Sequence, residues 1–136
     1  MYETFDHTAD LGLRVQAADL NTLFAEAAQG LFAMIVDDLM SIRCTDTQTL
    51  TIAGDDRELL LYDFLRELLY RFDAEHRLYR TFDVQVRDDG LSATISGERL
   101  EPERHELSHE VKAITYHGLR VEPTADGWLA ELIVDI

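Results

Sequence analysis

DRELLLYDFLRELLYRF, residues 56–72, is the stretch whose pattern decides the fold of this 136-residue chain. Its leucines and phenylalanines recur with the period of an α-helix and would form one buried stripe. The members of that stripe are Leu60, Leu61, Phe64, Leu65, Leu68, Leu69 and Phe72. The charged residues between them fall on the opposite face, where water solvates them. Gly54 breaks the preceding segment, so Asp55 or Asp56 is the predicted N-cap of a helix over about residues 57–72.

A second helical stripe lies on the N-terminal side of this segment. Its apolar members are Leu20, Leu23, Phe24, Ala27, Ala28, Leu31, Met34 and Ile35. Asp19 is the predicted N-cap, because its carboxylate can accept hydrogen bonds from the free amides of the first turn. The pattern predicts a helix that ends near Asp37 or Asp38 and packs against another layer.

The segments around the helices alternate between apolar and polar residues, which indicates β-strands. The predicted strands are residues 11–17, 45–53, 78–87, 91–97, 109–121 and 128–134. Asp88-Asp89-Gly90 and Asp126-Gly127 provide the turns of two hairpins, and residues 98–108 form a polar loop. This order favours a single α+β domain over residues 1–136, with two helices packed on one face of a largely antiparallel sheet.

Acidic residues outnumber basic ones by 27 to 12, which gives a formal net charge of −15. Such a chain repels a phosphate backbone, so no direct stable binding of nucleic acid is expected. Any role in RNA metabolism then runs through a protein partner or a metal. The single cysteine, Cys44, cannot close an internal disulfide, and no apolar stretch approaches the roughly 20 residues that span a bilayer. A cytoplasmic protein with no membrane partner is expected.

Both ends of the chain carry acids. Asp6-His7-Thr8-Ala9-Asp10 precedes the first predicted strand, and Asp135-Ile136 follows the last one. If the ends meet, Asp10, Asp135 and the Ile136 carboxylate would supply the oxygen ligands that calcium or magnesium prefers. The alternative is that Asp6 or Asp10 caps a turn. With 27 acids in the chain, spacing alone favours that alternative.

Three histidines, His105, His109 and His117, lie close in sequence. Four-residue spacing joins two imidazoles only on a helix, which this region does not predict. On a strand, His109 and His117 would stand about 26 Å apart. Surface histidines, or histidines whose hydrogen-bonding groups are partly satisfied, are therefore expected rather than a shared zinc site.

Lys112 lies in the predicted strand over residues 109–121. Alternation would place its side chain on the same face as those of Glu110, Ile114 and Tyr116. Three roles stay open: a desolvated catalytic amine, a group that binds a partner's carboxylate or a phosphate, and a strand-edge charge that discourages aggregation.

Four separated motifs together resemble those of the archease family. They are Asp6-His7-Thr8-Ala9-Asp10-Leu11, Asp55-Asp56, Glu110-Val111-Lys112-Ala113-Ile114-Thr115-Tyr116 and Val134-Asp135-Ile136. They occur in the same order and at similar spacing along the whole length. The family fold, a strand-helix-strand-strand module with inserted strands, agrees with the predicted order of elements.

The resemblance implies a function. Archeases are non-enzymatic activators of the GTP- and manganese-dependent RNA-splicing ligase in tRNA splicing and RNA repair, where they promote ligase guanylylation and multiple turnover. Family members bind a divalent cation, often calcium, with manganese or magnesium as alternatives. Residue by residue, the implied cation ligands are Asp10, Asp135 and the carboxylate of Ile136. The residues that the resemblance links to activation of the partner are Lys112, Glu110, Asp6 and His7.

Two other functions stay open. The resemblance also implies a chaperone or specificity modulator of a tRNA-modifying methyltransferase. A metal-dependent hydrolase would instead use a cation at Asp10 and Asp135 to activate water. Against the hydrolase, the sequence shows no evident base with an orienting partner.

Overall fold

Two helices and eight strands make up the described part of the chain, residues 1–7 and 10–136, in the computed structural model. The strands are β1 (Tyr2–His7), β2 (Asp10–Ala17), β3 (Asp46–Ala53), β4 (Arg77–Arg87), β5 (Gly90–Arg99), β6 (Ala113–Ile114), β7 (Arg120–Pro123) and β8 (Trp128–Asp135). The helices are α1 (Leu20–Ile35) and α2 (Arg57–Glu75), and a 3₁₀ turn covers Leu39–Ser41. None of the helices in these ranges is long and apolar enough to cross a membrane.

Both helices begin at the predicted acidic caps. The Asp19 carboxylate accepts from the Thr22 amide at 2.8 Å, and that of Asp56 accepts from the Glu58 amide at 2.9 Å. These bonds satisfy amides that have no partner within the helix. The second helix continues to Glu75 instead of ending at residue 72. It stops there because His76 adopts a left-handed conformation, with φ of 56°, which cannot continue the helix.

The strands pair antiparallel in two sheets. One sheet has the order β1-β2-β8-β6, with β7 also paired to β8, and the other has the order β3-β5-β4. The predicted α+β class, with two helices and antiparallel strands, is confirmed. The structure adds that the strands divide between two sheets, which alternation within single strands does not reveal.

The helices join the two sheets. The first helix contacts β1, β2 and β8 of the larger sheet and β4 of the smaller one. The second helix contacts all three strands of the smaller sheet as well as β6 and β7. Between the helices, the rings of Phe24 and Phe64 stack with their centroids 6.4 Å apart, and both are fully buried. Residues of both helices and both sheets therefore belong to a common hydrophobic core.

Two parts of the strand pattern differ from the prediction. Residues 2–7 form an additional strand, β1. Of its described side chains only Tyr2 and Phe5 are partly buried, so no regular apolar alternation marks this strand in the sequence. The predicted continuous strand over residues 109–121 is wrong. It is replaced by the short strands β6 and β7 with a turn between them, where Gly118 has a φ of +67°.

A buried polar cluster holds the loop that leads to β6. Arg104 pairs with Glu98 and also donates to the Ser41 carbonyl oxygen at 2.8 Å. His105 is buried, with its Nε2 2.9 Å from Glu98 Oε2, and its Nδ1 accepts from the Glu101 amide at 2.9 Å. The expectation of a satisfied histidine is thus confirmed at His105, whereas His109 and His117 are exposed.

Candidate acidic site where the first and last strands pair

The two ends of the chain meet because β2 and β8 are neighbouring antiparallel strands. Asp10, the first residue of β2, lies directly opposite Asp135, the last residue of β8. Residues that face each other in this way carry their side chains on the same face of the sheet, with Cβ atoms about 5 Å apart. The expectation that residues 10 and 135 adjoin is confirmed. Their role as metal ligands stays a prediction.

The segment with Lys112 is attached to the same corner. The Lys112 amide donates to the Asp135 carbonyl oxygen at 2.8 Å, and the next residue, Ala113, pairs with Asp135 in the β6–β8 ladder. Val111 and Ile114 are buried on either side and anchor the segment in the core. The predicted shared face of Lys112 and Ile114 is wrong, since the Lys112 side chain is exposed and that of Ile114 is buried.

An open depression of about 600 Å³ collects most of the predicted site residues. It is lined by Asp6, Asp10, Leu11, Ser108, His109, Glu110, Lys112 and Ile136. Lys112 thus lines the depression together with three acidic residues, Asp6, Asp10 and Glu110, so the depression is acidic as a whole. We call it the acidic corner. Asp135 is not among the described residues that line it, although its backbone carries Lys112.

Part of the predicted N-terminal motif lies outside the described residues. The backbone of His7 pairs with that of Asp10 at the end of the β1–β2 ladder. The predicted role of the His7 side chain, and Thr8 and Ala9 between the two strands, fall outside what the structure describes.

A neighbouring depression extends the acidic corner toward the end of α2. It shares four residues with the corner, including Glu110 and Lys112, and adds Phe72, Asp73, Leu107 and Val111. Burial raises the pKa of the Asp73 carboxyl, and the nearby Glu110 carboxylate raises it further. Sequence reasoning missed Asp73, because the apolar stripe that predicts α2 ends one residue earlier, at Phe72.

A divalent cation fits the donor chemistry of this corner only in part. Asp10 and Asp135 offer two adjacent side-chain carboxylates, which suit hard cations such as calcium, magnesium or manganese. Among the described side chains, which are those of residues 1–6 and 10–136, no three of Asp, Glu, His or Cys lie close enough together to hold a metal. A third protein oxygen would therefore have to come from a main-chain or terminal group, and Ile136 follows Asp135 directly.

Fold and site together define a small α+β protein in which paired first and last strands carry an acidic corner beside one lysine. The model of the archease protein family (MTH1598/TM1083) matches residues 2–136. The chain belongs to the archease family.

Relatives and solved structures agree with this assignment. Protein archease of Pyrococcus abyssi is 40% identical over 140 residues, which cover 99% of this chain and 98% of the relative. Protein archease of Methanosarcina acetivorans is 36% identical over 140 residues, covering 99% and 95%. The solution structure of Methanobacterium thermoautotrophicum protein 1598 matches with a TM-score of 0.81 at 32% identity, over 99% of this chain and 98% of that one.

A more distant structure supports the fold alone. The crystal structure of a Thermotoga maritima protein, described as an archease and possible chaperone, matches with a TM-score of 0.69 at 19% identity. The match covers 100% of this chain and 98% of that one.

Proposed function

We propose that this protein is a non-enzymatic activator of the GTP- and manganese-dependent RNA-splicing ligase, and that it acts in the cytoplasm in tRNA splicing or RNA repair. In this proposal it promotes guanylylation of the ligase and allows multiple turnover. The observation that carries the proposal is the convergence of Asp6, Asp10, Glu110 and Lys112 on one acidic corner in a member of the archease family.

Charge explains how such a corner would reach its target. A ligase that binds RNA and GTP must present cationic surface to them, and a chain with a net charge of −15 is steered toward such a surface. The antiparallel pairing of β2 with β8 holds the corner in a fixed geometry. Carboxylates held in this way can order cationic groups around a nucleotide without reacting themselves.

We further propose that Asp10, Asp135 and the Ile136 carboxylate hold a divalent cation, calcium in the first instance and manganese or magnesium as alternatives. The adjacent positions of residues 10 and 135 support this proposal. When bound, the cation would neutralise repulsion between carboxylates at the meeting of the two ends. Asp6, Glu110, Lys112 and His7 would then remain to contact the ligase.

The test is the amount of guanylylated ligase formed with GTP and manganese, compared with and without this protein. Asp10→Asn and Asp135→Asn should each reduce the stimulation about tenfold, because each removes a ligand of the proposed cation. Lys112→Ala should reduce it by a similar factor, because it removes a group that the proposal places against the ligase. Asp126→Asn is the matched control, since it removes one negative charge from an exposed turn away from the corner. Equal labelling with and without the wild-type protein would refute the activator role.

Two further outcomes separate the alternatives. Metal-dependent hydrolysis of a nucleotide or phosphoester by the purified protein alone would show an enzyme. A change in the RNA specificity of a tRNA methyltransferase, with ligase labelling unaffected, would favour the modulator role. The description of the Thermotoga maritima protein as a possible chaperone supports the modulator role.

A further inference from the structure

A pair of tyrosines lies on the surface outside the acidic corner. The ring of Tyr62 on α2 meets that of Tyr116, in the turn between β6 and β7, edge to face with centroids 5.2 Å apart. Tyr116 is 47% exposed even though its ring has an aromatic partner. An aromatic pair displayed in this way is typical of contact surfaces, since each ring provides large area at little cost in conformational entropy.

One of these rings already holds a cation. The guanidinium carbon of Arg66 lies 5.2 Å from the centroid of the Tyr62 ring, within the range of a cation–π interaction. Tyr62 therefore has its own arginine nearby, while the exposed part of Tyr116 faces solvent. The arrangement shows that this surface suits a guanidinium group.

Three carboxylates near the pair outnumber the single guanidinium of Arg66. Asp56 caps the helix that carries Tyr62, and Glu58 and Asp63 lie in its first two turns. Partial burial raises the pKa of Tyr116, and these three carboxylates raise it further. The three carboxylates disfavour an anionic ligand such as RNA and favour a cationic one.

The tyrosine pair is continuous with the acidic corner. The segment that follows Leu107 lies along α2 in the opposite direction, with Lys112 and Asp73 lining one depression. Further along, Tyr116 meets Tyr62, and the Val121 amide donates to Glu58 Oε2 at 3.1 Å. At most about 14 Å of chain separates residues 112 and 116. An interface of ordinary size, about 800 Å² per partner, is wide enough to cover both.

We infer that Tyr62 and Tyr116, flanked by Asp56, Glu58 and Asp63, form a docking surface for an arginine or lysine side chain on a basic protein partner. The occupant is a basic side chain rather than a phosphate of RNA, because the surrounding carboxylates favour a cation. The identity of that partner as the RNA-splicing ligase rests on the proposed function. In this division of labour the tyrosine pair contributes affinity, and the acidic corner contributes activation.

The docking surface can be tested without the ligase. The protein is titrated with a tri-arginine peptide while NMR follows the ring resonances of its tyrosines. We expect saturable shifts at Tyr62 and Tyr116 that exceed those at Tyr70, an exposed tyrosine on the same helix. A tri-glutamate peptide should shift neither member of the pair. Equal shifts at Tyr70, or shifts caused by an oligouridylate but not by the arginine peptide, would overturn the inference.

Binding to the purified ligase provides the second test. Tyr116→Ala should raise the Kd about fivefold, because a desolvated cation–π contact is lost, whereas Tyr116→Phe keeps the ring and should bind like the wild type. Tyr70→Ala is the matched control. At a subsaturating concentration the Tyr116→Ala protein should also stimulate guanylylation less than the Tyr70→Ala protein does.

The two proposals fail in different ways. If the wild type neither binds nor stimulates the ligase, the proposed function is lost, and the peptide titration still decides the docking surface. If the wild type stimulates the ligase but Tyr116→Ala binds it equally well, the activator role stands and the docking inference is wrong.

Discussion

Glu98 is a buried carboxylate that its neighbours keep ionised. Hydrogen bonds from Arg104, and further ones from the Arg43 amide and His105, outweigh burial and lower the pKa of Glu98 from 4.5 to about 2. Because the pKa is lower in the folded protein, the cluster stabilises it fully above pH 4.5. That contribution is lost as the pH falls from 4.5 toward 2.

At the residue scale, we predict that Glu98→Gln lowers the free energy of unfolding at neutral pH by about 3 kcal/mol, because Arg104 loses its buried anionic partner and keeps only the exposed Glu101 carboxylate. The stability of the variant should also fall less between pH 4.5 and 2, because the Glu98 carboxylate that titrates there is absent. Urea denaturation at a series of pH values measures both effects. Glu103→Gln, an exposed change in the loop that carries Arg104, is the control, and an equally small effect at Glu98 would contradict the prediction.

At the element scale, the pairing of β4 with β5 depends on Gly97, a residue without a side chain. The register of the two strands shifts between Tyr79 and Thr81. Opposite this irregularity, a Cβ placed on Gly97 would lie 1.9 Å from the Leu78 carbonyl oxygen and 2.7 Å from the Tyr79 Cα atom. These are backbone atoms of β4, which is hydrogen-bonded to β5, so they cannot move aside as a flexible side chain would.

We therefore predict that Gly97→Ala destabilises the protein by about 3 kcal/mol, through displacement of β4 from β5. Thermal unfolding gives the size of the effect, and amide hydrogen exchange should show the loss of protection concentrated in these two strands. Gly54→Ala is the control, since its added Cβ would meet Leu60 Cδ1 at an ordinary 3.6 Å. Equal stability of the two variants would show that the close approach at Gly97 relaxes without cost.

At the scale of the whole molecule, the pairing of β2 with β8 links the proposed cation to global stability. A ligand that binds only the folded state stabilises it by about 2.7 kcal/mol at a hundred times its Kd. We predict that excess calcium raises the Tm of the wild type and of Asp126→Asn, but not of Asp10→Asn or Asp135→Asn. Differential scanning calorimetry with and without calcium checks this. If calcium raises the Tm of Asp135→Asn as much as that of the wild type, Asp135 is not a ligand.

Local patterns were sufficient for much of the fold. The apolar stripes predict both helices, Asp19 and Asp56 act as their caps, and the turn at residues 88–90 joins two strands as expected. Each of these features depends on residues within a few positions of one another, so their sequence carries the information. The prediction of one continuous strand over residues 109–121 was wrong because it used local alternation alone. The path of this segment is decided by distant partners, as when the Thr115 amide donates to the Ile133 carbonyl oxygen.

The sequence by itself determined the α+β class, the helices and the acidic motifs at both ends of this archease. Only the tertiary structure decided that Asp10 faces Asp135, that Lys112 is attached beside them and that Tyr116 meets Tyr62. The physical reason is that periodicity and capping act within a few residues, whereas strand register and side-chain packing depend on how the whole core closes.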